Sequence, residues 1–253
     1  MKRKQCGLFA VMCLLAGSAF AQEDRIESDR PGQTQTPGLT SKGYLQVEAG
    51  IEKDQERDGA YMLRHPEAVL KFGLSDRWEL RTELTSETWR DKVAKEYHYG
   101  LKPVEVGFKA KLAEEKGMRP ATSLYTLVGL PALASRDHRV SHVFPTVRLL
   151  FKNQLTGKLE LDYNIGPEWD GEQAQPQWLY SVDPEWKIGE KWEAFLEVFG
   201  YLQKGKAPQH HLDGGLAYFP SNDLKIDLFG GKGISAEAPD YFISLGVSFR
   251  LRP

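Results

Sequence analysis

From Gly43 onward the chain alternates apolar and polar residues one by one. Trp78-Glu79-Leu80-Arg81-Thr82-Glu83-Leu84 is the clearest run, and Leu159 to Ile165 and Leu224 to Leu228 repeat it. A period of two places apolar side chains on one face of a strand and polar ones on the other. An amphipathic helix would need apolar residues at i, i+3, i+4 and i+7, and these segments lack that order. Runs of this kind between turn signals predict about 12 strands. They lie near 43–52, 61–74, 77–87, 100–112, 119–130, 142–153, 158–167, 177–188, 191–202, 210–219, 223–232 and 240–251. The connections alternate in length. Short turns hold Ser75-Asp76-Arg77, Glu114 to Gly117, Leu155-Thr156-Gly157, Gly189-Glu190 and Ser221-Asn222-Asp223. Longer polar loops fall around 53–60, 88–99, 131–141, 168–176, 203–209 and 233–239. That rhythm belongs to a meander with short periplasmic turns and longer outer loops. The expected fold is all-β: an up-and-down antiparallel transmembrane β-barrel with both termini on the periplasmic side.

Alternation alone does not say which face points inward. Twelve strands about 4.8 Å apart, tilted about 40°, give a Cα diameter of about 24 Å. Apolar side chains would leave a void in such a barrel, whereas a polar lumen can fill with water. By parity the polar face carries Glu79, Arg81, Glu83, Glu105, Lys109, Arg148, Glu160, Asp162, Glu185, Glu193, Glu197, Asp213 and Asp227, the candidate lumen lining. Each Lys or Arg turned to mid-bilayer lipid would cost about 2–4 kcal/mol, so in a membrane this face is the lumen. On the apolar face Trp78, Trp186, Trp192 and Phe249 cluster at the short-turn ends, with Trp178 and Tyr241 beside long loops. That is the place of an interfacial aromatic girdle. The lumen charges are of both signs. Pairing across strands would plug the barrel, and an unpaired excess of carboxylates would favour cations or polar solutes.

The beginning of the chain sets the compartment. Lys2, Arg3 and Lys4 precede an uncharged apolar run from Cys6 to Phe20, and Ala19-Phe20-Ala21 supplies a small-x-small cleavage pattern. This is the layout of a secretory signal peptide over residues 1–21, too short to cross a bilayer as a helix. Both cysteines, Cys6 and Cys13, lie inside it, which excludes a disulfide framework in the mature chain. The chain holds 33 Lys and Arg against 35 Asp and Glu. The signal takes three of the basic residues and no acidic ones, so the mature balance is −5. That is not the charge profile of a nucleic-acid partner. Residues 22–42 form a polar N-terminal arm with Pro31 and Pro37 and no apolar period. The arm is either a disordered periplasmic leader or a plug or gate that folds into the lumen, with Asp29 and Arg30 pairing lumen charges. Residues 43–253 form the barrel domain.

No residue set justifies naming a reaction. Gly230-Gly231-Lys232-Gly233 lacks the spacing and the Ser or Thr of a phosphate loop and reads as a strand-to-loop turn. His210 and His211 point to opposite faces of an extended chain and do not make a metal pair. Ser141 adjoins His142, but neighbouring strand residues face opposite sides, against a hydrolase pair. Glu193 and Glu197 are about 13 Å apart along a strand, too far for a glycosidase pair. No enzyme activity, metal or cofactor is expected.

Ser28-Asp29-Arg30-Pro31-Gly32-Gln33-Thr34 and Lys42-Gly43-Tyr44-Leu45-Gln46-Val47-Glu48 resemble the N-terminal signature of a bacterial outer-membrane family described as "Putative MetA-pathway of phenol degradation". Gly73 to Arg81, Gly107-Phe108-Lys109, Glu193 to Glu197 and the stretch from Asp213 through Gly246 are similar to it as well. The resemblance implies an outer-membrane barrel tied to uptake of small, often aromatic or apolar, compounds. Barrel chains usually end on an aromatic residue used in assembly, whereas here Phe249 is followed by Arg250 to Pro253. The expected function is a channel or transporter for small molecules, and the alternative is a closed structural or partner-binding barrel. The expected partners are outer-membrane lipid, the barrel-assembly machinery and an unidentified small solute.

Overall fold

The computed structural model describes residues 25–90 and 96–252. The predicted signal peptide and the first residues of the arm lie outside the described residues. The strands are β1 (Leu45–Gln55), β2 (Tyr61–Ser75), β3 (Trp78–Arg90), β4 (Tyr97–Leu101), β5 (Val104–Ala113), β6 (Ala121–Leu130), β7 (Phe144–Thr156), β8 (Leu159–Glu168), β9 (Gln177–Ile188), β10 (Trp192–Gln203), β11 (Gln209–Ser221), β12 (Leu224–Gly233) and β13 (Tyr241–Leu251). Each pairs antiparallel with its neighbour, and β1 pairs with β13 from Leu45↔Leu251 to Gln55↔Tyr241, which closes the sheet on itself. The result is a closed up-and-down barrel of 12 strand positions. Closure pairs the first strand with the last, the condition under which a sheet can cross a membrane.

One predicted strand departs from the expectation. The run expected at 100–112 is broken into β4 and β5, and its outer half begins at Tyr97, inside the expected loop. Pro103 offers no N–H to the ladder. Lys102 N still donates to Thr85 O at 2.8 Å, so both halves stay on β3 and fill one barrel position. The free edge of β4 is covered by the loop between β6 and β7: Leu101 N donates to Ser135 Oγ at 2.8 Å and Ser135 N to Leu101 O at 2.9 Å. Gly230 to Gly233, expected as a turn, continues β12 to its end.

Burial is inverted relative to a water-soluble protein. Lys71, Glu79, Lys109, Glu197 and Asp227 are buried, while Leu80, Leu196, Leu228, Ile243 and Leu245 stand exposed. The outward face of the strands is therefore apolar, as a lipid-facing wall requires. Trp78, Trp186 and Trp192 lie exposed at the short-turn end, and Trp178 and Tyr241 at the other. Trp192 packs on Tyr218 at 4.6 Å and Trp78 on Phe108 at 5.2 Å.

Leu245 is 56% exposed at the middle of β13, and Leu251 ends the same strand. Leu245→Arg is expected to destabilise the barrel by about 2–4 kcal/mol and Leu251→Arg by about 0–1 kcal/mol. Equilibrium urea unfolding in lipid vesicles measures both, and equal costs would contradict a bilayer centred on Leu245.

Candidate functional site: the lumen and its arm

The described part of the arm, 25–42, lies inside the barrel. Of the two readings left open by the sequence, the disordered leader does not describe this segment. It enters at the short-turn end. Ile26 N donates to Asn222 O at 2.7 Å, and the Ile26 side chain packs on Ala217 and Phe219. Arg25 pairs with Glu193 and lies 3.8 Å over the Phe219 ring. The chain climbs to the middle of the lumen and returns to Lys42, which bridges Gly73.

Asp29 and Arg30 are neighbours at a bend in the arm, and their side chains diverge onto adjoining parts of the wall. Asp29 receives three cations from three strands: Lys71 at 2.5 Å, Arg81 at 2.6 Å and Lys109 at 2.9 Å. Arg30 faces the adjoining strands β12 and β13, with Asp227 at 3.1 Å and Ser244 Oγ accepting at 2.8 Å. Its guanidinium fits because Gly50 and Gly246, register partners on β1 and β13, have no side chains. A Cβ on Gly246 would stand 2.1 Å from Arg30 Nε, and one on Gly50 2.5 Å from Arg30 Cζ. Further along, Glu197 accepts from Thr34 Oγ1 at 2.5 Å and Gln33 N at 2.7 Å. Glu79 accepts from Thr40 N at 2.6 Å, and Asn164 bonds both the N–H and the carbonyl of Gln35.

The candidate lining residues divide by what they touch. Glu79, Arg81, Lys109, Glu193, Glu197 and Asp227 bind the arm. Glu83 accepts from Arg81 at 3.3 Å and from the Tyr125 hydroxyl at 2.9 Å, and Glu105 is its register partner on β5. Arg148 pairs with Glu168. Glu160 and Asp162 take Lys152 at 3.2 and 3.5 Å, and Lys187 joins Glu160. Glu185 sits opposite Glu160 in register. Glu160, Asp162 and Glu185 offer ligand atoms within 4.8 Å of one another, close enough for one metal ion. The two lysines already supply the positive charge there. Asp213 lies opposite Glu197, and neither of its oxygens has a hydrogen-bond donor.

Above the arm the lumen widens into a cavity. A chamber of about 420 Å³ is floored by Asp29, Arg30, Gln33 and Gln35 and reaches Glu56, Gln209 and Pro239 at the long-loop ends. At that rim burial, then the nearby Asp54 and Asp58, push the Glu56 carboxyl above its ordinary range. One side of the chamber carries Arg64, Glu67, Arg81 and Glu83; the other carries Phe199, Tyr201, His211, Phe229 and Phe242. These inward aromatics are absent from the candidates read in the sequence. Their signal was parity: Phe195 and Phe199 stand in step with Glu193 and Glu197 on β10, and Phe229 with Asp227 on β12.

The other chemical candidates separate. The hydroxyl of Ser141 bonds the Glu172 carboxylate at 3.0 Å, and His142 Nδ1 lies 3.3 Å from Gly171 O. His210 bonds the Tyr180 hydroxyl at 2.7 Å while His211 turns inward onto Phe199, rings 4.4 Å apart and stacked.

The sequence family described as "Putative MetA-pathway of phenol degradation" matches residues 28–251. The chain belongs to this family. The match begins in the arm, so arm and barrel are one family unit. A search of the curated proteins finds no match. Among solved structures the fold is similar to the COG4313 outer membrane channel from Pseudomonas putida F1, at 10% identity and a TM-score of 0.65, over 88% of this chain and 99% of that one. It is also similar to the NanC porin (14% identity, TM-score 0.55, 82% and 100% of the two chains) and the KdgM porin (11%, 0.54, 81% and 98%). At these identities the likeness is one of fold.

Asp29→Ala leaves Lys71, Arg81 and Lys109 without their shared counterion in a buried site. The expected cost is about 3–5 kcal/mol, read from the urea midpoint of the protein in micelles. Gly246→Val is expected to unseat Arg30 and make the arm susceptible to protease added at the short-turn end, with the barrel itself resistant. Limited proteolysis with mass mapping checks this.

Proposed function

We propose that this protein is an outer-membrane channel or transporter for small molecules and that its N-terminal arm controls passage. One observation carries the reading. The lumen is closed by a segment outside the barrel wall, held by ion pairs and hydrogen bonds, and an open chamber stands directly on it. A barrel built only as a wall would need no such chamber. A floor made of polar contacts can separate from the wall with water replacing its partners, which an apolar core does not permit. Family membership and a fold shared with outer-membrane channels support the same reading. By the usual orientation of such barrels the chamber opens outward and the arm guards the periplasmic side. The wall meets outer-membrane lipid, and the chain reaches the membrane through its signal peptide and the barrel-assembly machinery. The family description points to small aromatic compounds as solutes.

A second reading is a closed barrel whose loops bind a partner. It is favoured by the density of the Asp29 cluster, in which three buried cations hold one carboxylate.

Single-channel recording in planar bilayers separates the two. Wild-type protein is expected to show small, intermittent conductance. Deletion of residues 25–41 is expected to raise it several-fold, and liposome swelling with sugars, amino acids and aromatic acids is expected to rise in parallel. Unchanged conductance would remove the arm from the pathway. No flux in either form would leave the closed barrel.

A further inference from the structure

The charges around the outer chamber are not evenly satisfied. Each guanidinium that reaches it has a carboxylate partner. Arg30 holds Asp227, Arg64 holds Asp54 at 2.7 Å and Glu52, Arg81 holds Asp29, and Arg148 holds Glu168. Asp213 lines the same chamber, is 3% exposed, and has a hydrogen-bond donor on neither oxygen. No ion pair forms at it among the described residues. Its register partner Glu197 is a second carboxylate, and on the next strands Asp162 faces Asp183, whose oxygens are also without donors. A carboxylate held away from water beside others is costly unless a cation or a proton joins it. The chamber thus lacks positive charge at one defined place.

The surroundings of that place select the kind of cation. Phe199, His211, Phe229 and Phe242 form the wall beside Asp213, with Phe229 and Phe242 ring centroids 6.4 Å apart and His211 stacked on Phe199. Gly231 brings ring and carboxylate together. A Cβ there would stand 2.3 Å from the Asp213 Cβ and 2.5 Å from the Phe242 Cζ, so only glycine lets the ring tip lie against Asp213. Aromatic faces attract a cation and at the same time bury an apolar body. A bare metal ion would use neither the rings nor a volume of about 420 Å³. The acids spaced to chelate one ion, Glu160, Asp162 and Glu185, are outside the chamber lining.

We propose that the outer chamber binds a small organic ammonium ion, its charge on the Asp213 carboxylate and its apolar body against Phe199, His211, Phe229 and Phe242. This deepens the channel reading by naming a class of solute that the chamber collects above the arm. The binding itself requires no passage.

The test is calorimetry on the full-length protein in detergent micelles with three probes of one size: phenethylammonium, 2-phenylethanol and phenylacetate. Phenethylammonium is expected to bind saturably and at least tenfold tighter than either other probe. Asp213→Asn is expected to abolish that preference while keeping heat-modifiable gel mobility. Phe242→Leu, which keeps the charge, is expected to weaken all binding several-fold and to preserve the order of the probes. It carries the test if the Asn variant fails to fold. Equal or tighter binding of the neutral or anionic probe overturns the proposal, as does a preference that survives Asp213→Asn or an affinity unmoved by Phe242→Leu. A proton shared between Asp213 and Glu197 in place of a ligand would give that first result. Swelling assays with the same probes keep the two readings apart. Flux without micellar binding sinks the site, and binding without flux sinks the channel.

Discussion

Lys71, Arg81 and Lys109 project from β2, β3 and β5 into one small volume, and the Asp29 carboxylate stands at its centre. Burying three cations without compensation would cost several kcal/mol for each. The barrel wall supplies part of the balance through Glu48 and Glu79. The rest comes from a residue outside the wall. The arm is therefore a component of the folded lumen, and its position follows from charge. Asp29 turns to the basic wall, and Arg30, one residue on, turns to the acidic side at Asp227. A reversed pair in the same place would set like charges against each other on both walls.

This pairing divides the lumen in two. Below and within the arm every layer is crowded with polar contacts, down to the Ile26 anchor on Phe219. Above it the strands carry fewer partners than charges, and the chamber remains open to the long-loop end. The two halves suit different work. On the proposed reading the lower one resists passage by bonding, and the upper one offers surface to a solute. In the proposed channel the carboxylate that would take a solute's charge, Asp213, is not one of the residues that bind the arm, whereas Phe229 touches both the chamber and Arg30.

Much of this was legible in the sequence because strand parity is a strict code. Once Glu79, Arg81 and Glu83 were set on one face, the pleat decided where Leu80 and Leu84 went, and the loop rhythm decided connectivity. The break at Pro103 was less visible: it shows only as a slip of phase, from apolar Tyr97, Tyr99 and Leu101 to apolar Val106 and Phe108, beside the missing N–H. The inward aromatics were hidden by chemistry that looked lipid-like. Phe199 and Phe242 match the expected outer face in kind, and only their step with Glu197 and Ser244 reveals them. The position of the arm was the least legible feature. It has no period, and its place depends on charges that are far away in the chain, such as Lys109 and Asp227, and meet only in the closed barrel.

The glycine slot under Arg30 has a consequence for how the molecule is made. Gly50 belongs to the first strand and Gly246 to the last, and they face each other across the seam where the cylinder shuts. Arg30 reaches Asp227 and Ser244 on one side of that seam and approaches Glu67 on the other. Its berth does not exist until the first and last strands have found their register. Seating of the arm is thus a late event in biogenesis, a clasp that fastens only on a correctly zipped cylinder. A seam slipped by a single residue would set these two glycines on opposite faces of the sheet and leave Arg30 without its place.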